Sequence, residues 1–153
     1  MINIVLVSPE IPQNTGNIAR TCAATGCALH LVKPLGFSID DKHLKRAGLD
    51  YWDKVVVGVY DCFEELEEKH PEANFYLVET DGSRFHTEVK YPDDVFFVFG
   101  KETKGLPKEL IEKYKDQLVR LPMRKGLRSL NLSNAAAVMV YEALRQRNFD
   151  GLE

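Results

Sequence analysis

The sequence predicts an α/β fold in which a mostly parallel sheet is flanked by helices. Apolar, β-rich runs alternate with segments of helical periodicity along the whole chain. One run, residues 95–99 (VFFVF), is apolar throughout, which is typical of a central strand covered on both faces. The chain has 153 residues and shows no linker, repeat or low-complexity segment, so we expect a single domain over residues 1–153.

Each predicted strand is a short apolar run bounded by proline, glycine or polar residues. In chain order, the six runs cover residues 2–7, 28–32, 54–59, 74–78, 95–99 and 118–121. Pro9 and Pro12 follow the first run, and Pro122 ends the last. Proline has no backbone N–H to continue a sheet, so these limits are expected. A polar turn at Asp81 and Gly82 should follow the fourth strand.

Five helices are predicted from their end signals. A short polar side chain at a helix start accepts hydrogen bonds from unpaired N–H groups, and a glycine suits the end. The five segments are residues 14–25 between Asn14 and Gly26, 40–47 closed by Gly48, 62–70 capped by Asp61, 107–114 with Pro107 in its first turn, and 131–147 with Asn131 and Ser133 at its start.

The last of these helices is apolar around its whole circumference. Residues 135–141 read AAAVMVY, and at about 3.6 residues per turn seven such residues leave no face for water. One side can pack on the sheet of the same chain. The other side needs a partner, and a second copy of the chain is the simplest one. We therefore expect a homodimer built on this helix, with Tyr141 as a buried dimer contact.

Charge and hydropathy narrow the possible partners. The net charge is −3, so binding to nucleic acid would depend on local basic clusters. No window approaches the ~20 apolar residues that a membrane span needs. Residues 1–14 lack the basic start and small-residue cleavage site of a signal peptide. We therefore expect no membrane association.

Cysteine and histidine usage indicates a reducing compartment and no metal site. Cys22, Cys27 and Cys62 are odd in number and have no C-x-x-C spacing, which disfavours a disulfide framework and a zinc site. The four histidines are scattered without metal-ligand spacing. The expected localisation is therefore cytoplasmic, and no bound metal is expected.

Three polar loops that contain glycine follow strands of the predicted sheet, at residues 12–17, 100–105 and 124–134. Ligands of open α/β sheets bind beyond the carboxyl ends of the strands, so these loops should form the site. The chain has no G-x-G-x-x-G after its first strand, no G-x-x-x-x-G-K-[ST] and no G-x-S-x-G. The absence of these motifs disfavours a Rossmann dehydrogenase, a P-loop nucleotidase and a serine hydrolase.

The same loops carry three motifs in order: Asn14-x-Gly16-Asn17-x-x-Arg20, residues 99–106 (FGKETKGL), and residues 121–134 with LPM at the start and SLNLSN at the end. Together they resemble the motifs of the SPOUT-class RNA 2′-O-ribose methyltransferases. The similarity extends over essentially the whole chain, including residues 42–52 (KHLKRAGLDYW). The lack of an appended domain resembles the minimal members of that class, which methylate the wobble nucleotide 34 of tRNA.

That resemblance implies a trefoil-knotted α/β fold and an obligate homodimer. It implies S-adenosyl-L-methionine as methyl donor, S-adenosyl-L-homocysteine as product, and nucleotide 34 in the anticodon loop of tRNA-Leu as acceptor. Whether cytidine, modified uridine or both are accepted stays open. The knot is implied by the resemblance alone, because true knots are nearly absent from protein folds.

Two sets of site residues follow from the resemblance. The expected cofactor-binding residues, mainly through backbone groups, are Val78, Glu79, Gly100, Leu121, Met123, Ser129 and Leu130. The expected catalytic residues are Arg20, Asn14, Glu102, Ser129 and Asn131. Gly100 suits a site where backbone approaches a ligand closely. Each residue also has an ordinary structural alternative, such as a helix cap, a turn glycine, a core leucine or a solvated surface charge.

Arg20 is the residue expected to act on the acceptor, facing the cofactor of the other subunit. A guanidinium scarcely deprotonates in a protein, so a phosphate clamp that orients the ribose hydroxyl is physically easier than a general base.

Basic side chains on three segments are candidates for contacts with RNA phosphates. They are Lys42, Lys45, Arg46, Lys101, Lys104, Arg124, Lys125 and Arg128. Tyr51 or Trp52 is a candidate for stacking on an RNA base, although Trp52 suits the core equally well. Two other functions stay open: a methyltransferase of the same class acting on rRNA or another tRNA position, and a non-catalytic RNA-binding module.

Overall fold

A single seven-stranded sheet forms the centre of the protein. The computed structural model describes residues 1–40, 42, 44, 46 and 51–153. The strands are β1 (Ile2–Val7), β2 (Ala28–Val32), β3 (Val57–Tyr60), β4 (Phe75–Val78), β5 (Arg84–Phe85), β6 (Val95–Phe99) and β7 (Leu118–Arg120). Their order in the sheet is β3-β2-β1-β6-β4-β7-β5, and every pairing between these neighbours is parallel. The predicted α/β fold is confirmed, and the all-apolar β6 lies at the centre of the sheet.

Helices cover both faces of this sheet. They are α1 (Pro12–Thr25), α2 (Phe63–Lys69), α3 (Lys108–Lys113) and α4 (Leu132–Gln146). Helices α1 and α4 contact each other and share one face of the sheet, while α2 and α3 cover the other. In the predicted helix over residues 40–47, the described residues 42, 44 and 46 are helical, whereas residues 41, 43, 45 and 47 and the stop at Gly48 lie outside the described residues.

Alternation along the strands sends apolar side chains into two cores. On β1, Ile4 and Leu6 pack into the core beneath α1 and α4, together with Met139 of α4. The intervening Val5 packs into the core beneath α2, where it joins Leu66. Each of these five side chains is completely buried. Burial on both faces explains why the central strands are largely apolar runs without a regular polar alternation.

Two of the predicted helix caps are wrong. Helix α1 begins after Ile11, and the Asn14 side chain makes no capping bond. Helix α2 begins after Cys62 without a side-chain cap, so Asp61 does not have the predicted role. In both cases the helix starts at a different residue from the polar one that the sequence favours, and Asn14 is engaged elsewhere.

Two other end signals are confirmed. Gly26 ends α1 in a left-handed conformation with φ of 75°, which suits a residue without Cβ. Asn131 begins α4, where its side-chain oxygen accepts the N–H groups of Ser133 and Asn134 at 2.9 and 3.2 Å.

Strand β5 is not predicted from the sequence, and β3 begins at Val57 instead of at the predicted residue 54. Strand β5 has only two residues and is held by pairing with β7, where Arg84 lies opposite Val119. The turn before it passes close to β7, because a Cβ on Gly82 would lie 2.7 Å from the Val119 carbonyl carbon. Tertiary pairing makes this strand, so its own residues give little signal.

The outer face of α4 is apolar and exposed in the single chain. Ala136, Met139 and Val140 face the core, whereas Val138 and Tyr141 are 42% and 49% exposed. Residues 135–141 are therefore apolar on both the core side and the exposed side of α4, as predicted, but Tyr141 is not buried within one chain. Within the described ranges, no helix is long and apolar enough to cross a membrane.

Candidate active site

A cleft of about 730 Å³ opens at the carboxyl ends of β4, β6 and β7. Three loops line it, at residues 78–80, 99–105 and 121–135, with a contribution from Ile11 and Asn14 at the start of α1. All seven expected cofactor-binding residues line this cleft, and so do the expected catalytic residues Asn14, Glu102, Ser129 and Asn131. Arg20 does not line it. The structure thus brings the three motif loops together at the predicted edge of the sheet.

Gly100 is required by the shape of its own loop. Lys101 and Gly105 form a bridge that closes the loop, with the Gly105 N–H donating to the Lys101 carbonyl at 2.9 Å. A Cβ on Gly100 would lie 2.0 Å from the Gly105 carbonyl carbon and 2.2 Å from the Leu106 nitrogen. The loop backbone therefore fills the space that the sequence analysis assigned to a ligand, and the predicted reason for this glycine needs correction.

Glu79 fastens this loop to the end of β4. Its carboxylate accepts the Leu106 N–H at 2.9 Å. Partial burial raises the pKa of the Glu79 carboxyl, and the nearby Asp81 acts in the same direction, while the bond from Leu106 opposes the shift. Glu79 therefore combines a structural bond with a carboxylate that faces the cleft.

Glu102 and Glu10 form a reciprocal clasp between the loops that follow β1 and β6. The Glu102 carboxylate accepts the N–H groups of Glu10 and Ile11 at 2.9 and 3.1 Å, and the Asn14 amide at 3.3 Å. In return, the Glu10 carboxylate accepts the Thr103 hydroxyl at 2.7 Å and the Thr103 N–H at 3.1 Å. The hydroxyl bond is the main reason why the pKa of the Glu10 carboxyl is lowered.

Asn14 links this clasp to the start of α4. Its side-chain oxygen accepts the amide of Asn131 at 3.0 Å, while its own amide donates to Glu102. The Asn131 oxygen in turn caps α4. A hydrogen-bonded string, Glu102–Asn14–Asn131, therefore joins three of the expected catalytic residues and fixes their loops relative to each other. These contacts give Asn14, Glu102 and Asn131 a positioning role.

Arg20 lies on the exposed side of α1, away from the cleft of its own chain. Its guanidinium carbon is 5.0 Å from the centroid of the Tyr51 ring, which is within the range of a cation–π contact. Trp52 is half-buried and packs against the core beneath α1 and α4, which supports its core interpretation.

Three basic side chains line the cleft despite the acidic net charge. Lys101, Lys104 and Arg128 contribute to its lining. Arg124, Lys125 and Arg128 lie on the exposed loop before α4, and Lys42 and Arg46 are also exposed. Lys45 lies outside the described residues. Within the described part of the chain, no group of three metal-ligating side chains occurs.

Glu10 and Thr103 are not among the residues predicted from the sequence. Glu10 stands between two prolines in a polar loop, and nothing local indicates a partner 93 residues away. The indirect signal is that Glu102, already a candidate, is followed by Thr103 in a glycine-bounded loop.

Comparison with known proteins places the chain in a family. The model of the SpoU rRNA Methylase family matches residues 1–141. The chain belongs to this family. The resemblance to RNA methyltransferases seen in the three motifs is therefore confirmed.

Several members of the SpoU family are similar over nearly their whole length. A Bacillus subtilis protein, provisionally named a tRNA (cytidine(34)-2′-O)-methyltransferase, is 57% identical, with 99% of this chain and 97% of that protein covered. The tRNA (cytidine(34)-2′-O)-methyltransferase of Saccharophagus degradans is 53% identical, with 99% of both covered.

Solved structures of the same family share the fold. One, from work on the 2-OH methylation of C/U34 on tRNA, is 41% identical with a TM-score of 0.93 and 97% of both chains covered. An AdoMet-bound rRNA methyltransferase from Sinorhizobium meliloti is 25% identical with a TM-score of 0.85, covering 94% of this chain and 56% of that one.

Proposed function

We propose that this protein is an S-adenosylmethionine-dependent tRNA 2′-O-ribose methyltransferase that acts on the wobble nucleotide 34 in the cytoplasm. The observation that carries the proposal is the 53% identity with the Saccharophagus degradans enzyme over 99% of both chains. The hydrogen-bonded string through Glu102, Asn14 and Asn131 supports it, because it ties the three motif loops around one cleft.

The cleft suits S-adenosylmethionine in size and chemistry. Its volume of about 730 Å³ lies within the range of small-molecule sites. Val78, Phe99 and Leu121 offer apolar surface for an adenine ring, and Lys101 and Lys104 offer positive charge for the carboxylate of the amino-acid part. Exposed backbone of the loops at 99–105 and 121–135 supplies donors and acceptors for the sugar and the base.

When bound, S-adenosylmethionine supplies a methyl group on a sulfonium that is already activated for displacement. Transfer of that methyl to the ribose oxygen would break its bond to sulfur, leave S-adenosylhomocysteine and release the hydroxyl proton to water. The task of this chain is to hold the ribose hydroxyl in line with that methyl, since orientation alone contributes much of such catalysis. Arg20 is suited to this task as a clamp on a neighbouring phosphate, which fixes the sugar without the guanidinium losing its proton.

The position of Arg20 supports a shared active site. Arg20 does not line the cleft of its own chain, although Asn14, on the same helix, does. We therefore propose that the protein works as a homodimer in which Arg20 of one subunit faces the cleft of the other. The exposed apolar face of α4, with Val138 and Tyr141, offers a surface for the second copy.

An rRNA substrate is the nearest alternative. It is favoured by the family description and by the Sinorhizobium meliloti neighbour, but that neighbour is 25% identical and this chain covers 56% of it. The tRNA enzyme of Saccharophagus degradans is twice as similar and matches end to end. We therefore place the acceptor in tRNA, with tRNA-Leu as the first substrate to test.

A methyl-transfer assay tests the proposal. The protein is incubated with methyl-labelled S-adenosylmethionine and unmodified tRNA-Leu, and the product is digested with nuclease and mapped by mass spectrometry. We expect one 2′-O-methyl group on nucleotide 34. The matched control is the same tRNA with a 2′-deoxy nucleotide at position 34, which should accept no label. Label on a base, at another position or on an rRNA fragment in preference to tRNA would contradict the proposal.

A mixing experiment tests the shared site. Arg20→Ala leaves the cleft intact, whereas Gly100→Ala disturbs the cleft and leaves Arg20 intact. Each variant alone should be nearly inactive. Subunit exchange between them should restore activity, because mixed dimers contain one complete site. No recovery, with exchange verified by mass spectrometry, would contradict the arrangement.

A further inference from the structure

The guanidinium of Arg20 has an aromatic neighbour that neither the motifs nor the family match assign to the site. Arg20 is exposed on α1, and its guanidinium carbon lies 5.0 Å from the centroid of the Tyr51 ring. A cation within about 6 Å of a ring centroid is attracted by the negative face of the ring. Arginine adds stacking to this attraction because its guanidinium is planar.

We infer that Tyr51 positions Arg20 for its action on the acceptor, an inference that rests on the proposed function. An exposed arginine on a helix samples many rotamers, and only a few of them place the guanidinium where a phosphate can meet it. Contact with the Tyr51 ring restricts that sampling. The ring occupies one face of the guanidinium and leaves its N–H donors, which lie in the plane, available for a phosphate.

The backbone that carries the ring is anchored. The Tyr51 carbonyl accepts the Lys54 N–H at 2.9 Å, and the Trp52 carbonyl accepts the Val55 N–H at 3.3 Å. The Trp52 side chain packs on the core beneath α1 and α4, and Val55 packs there as well. Tyr51 is therefore attached to a turn that the core holds in place, and it offers a fixed platform to a flexible side chain.

This arrangement changes the role predicted for Tyr51 from sequence. A base-stacking residue would act on the binding of tRNA, whereas a residue that orients Arg20 acts mainly on turnover. The two roles therefore differ in whether kcat or the KM for tRNA changes, and in whether the effect depends on Arg20.

The test is a double-mutant cycle on methyl transfer to tRNA-Leu at saturating S-adenosylmethionine. The variants are Tyr51→Leu, Tyr51→Phe, Arg20→Ala and the combination of Tyr51→Leu with Arg20→Ala. We expect Tyr51→Leu to lower kcat by about 2- to 5-fold, from the usual strength of an exposed cation–π contact. Tyr51→Phe keeps the ring and should stay within about 2-fold of the wild type. In the Arg20→Ala background, Tyr51→Leu should cause no further loss.

Several results would overturn the inference. An equal loss from Tyr51→Leu with and without Arg20 would show that the ring acts independently, and a rise in the KM for tRNA alone would make Tyr51 a base-stacking residue. If Arg20→Ala kept full activity, Arg20 would have no role in the reaction for Tyr51 to support, and the inference would fail. A wild-type protein that methylates no tRNA would instead reject the proposed function itself, so the two failures are distinguishable.

A structural measurement complements the kinetics. The side-chain protons of Arg20 should show ring-current shifts by NMR in the wild type and in Tyr51→Phe, and these shifts should vanish in Tyr51→Leu. If Tyr51→Leu proves unstable in thermal unfolding, Tyr51→Met, which keeps much of the volume without a ring, replaces it in both measurements. Unshifted Arg20 protons in the wild type would overturn the inference whatever the kinetics.

Discussion

Replacing Glu102 with alanine should loosen the start of α1 from the loop at residues 99–105. The variant removes the acceptor of three hydrogen bonds, from the N–H groups of Glu10 and Ile11 and from the Asn14 amide. The carboxylate accepts the N–H of the N-cap residue Ile11, as the glutamate of a capping box does, at a helix start that has no side-chain cap of its own.

The magnitude follows from the exposure of this region. Loss of a helix cap costs about 0.5–2 kcal/mol, and a hydrogen bond to a buried charge costs somewhat more. Ile11 is 42% exposed and Glu102 is only half-buried, so water replaces part of what is lost. We therefore expect a loss of about 1–2 kcal/mol in the free energy of unfolding. For a chain of this size that lowers Tm by about 2–8 °C.

Two measurements check this prediction at matched protein concentration. Urea unfolding of Glu102→Ala should show the loss, while Glu109→Ala, which removes an exposed carboxylate on α3, should stay within about 0.5 kcal/mol of the wild type. Amide exchange should become faster at Glu10 and Ile11. Unchanged exchange at these two amides would refute the reasoning, even if the overall stability fell.

Three further predictions concern the dependence of stability on pH, the loop at residues 99–105 and the oligomeric state. His30 is buried, its ring nitrogens bond Tyr60 and Asn3 at 2.9 Å, and burial lowers its pKa to about 4. In the unfolded chain the pKa of this histidine is near 6.5, so between pH 6.5 and 4 the unfolded state binds more protons than the folded state. As the pH falls from 6.5 to 4, protonation of His30 should therefore lower the free energy of unfolding by about 3 kcal/mol. In urea unfolding, the free energy of unfolding should fall more between pH 7 and pH 5 in the wild type than in His30→Gln. An equal fall in both proteins would contradict this prediction. Gly100→Ala should weaken S-adenosylhomocysteine binding at least 10-fold in calorimetry, because its Cβ overlaps the loop backbone; unchanged affinity would mean that the loop adjusts. Tyr141→Asp should yield monomers in sedimentation, since a charge would enter the proposed interface, and a variant that stays dimeric would place the interface elsewhere.

Local signals in the sequence were sufficient for most of the fold. The strands at Ile2–Val7, Ala28–Val32 and Val95–Phe99 have the predicted limits, because each is an apolar run that is buried on both faces. Gly26 and Asn131 were also predictable, since a left-handed helix end and an N-terminal cap depend on the residue itself.

Long-range contacts explain what the sequence did not predict. Asn14 is of a residue type that often caps helices, but its side chain forms hydrogen bonds with Glu102 and Asn131, which are 88 and 117 residues away. Gly100 lies in a polar loop after a strand, where a glycine often approaches a ligand, yet the atoms nearest to a Cβ at this position belong to the backbone of Gly105. In the site, the family motifs indicated residues most of which line one cleft, but the contacts of these residues depend on partners that no local pattern specifies.

The most direct test of the central claim is a crystal structure of the protein with S-adenosylhomocysteine. The account predicts ligand density in the cleft between the 99–105 and 128–132 loops, with Arg20 of a second subunit pointing toward it. Density elsewhere, an empty cleft at saturating ligand, or an Arg20 that reaches the ligand from its own chain would contradict the account.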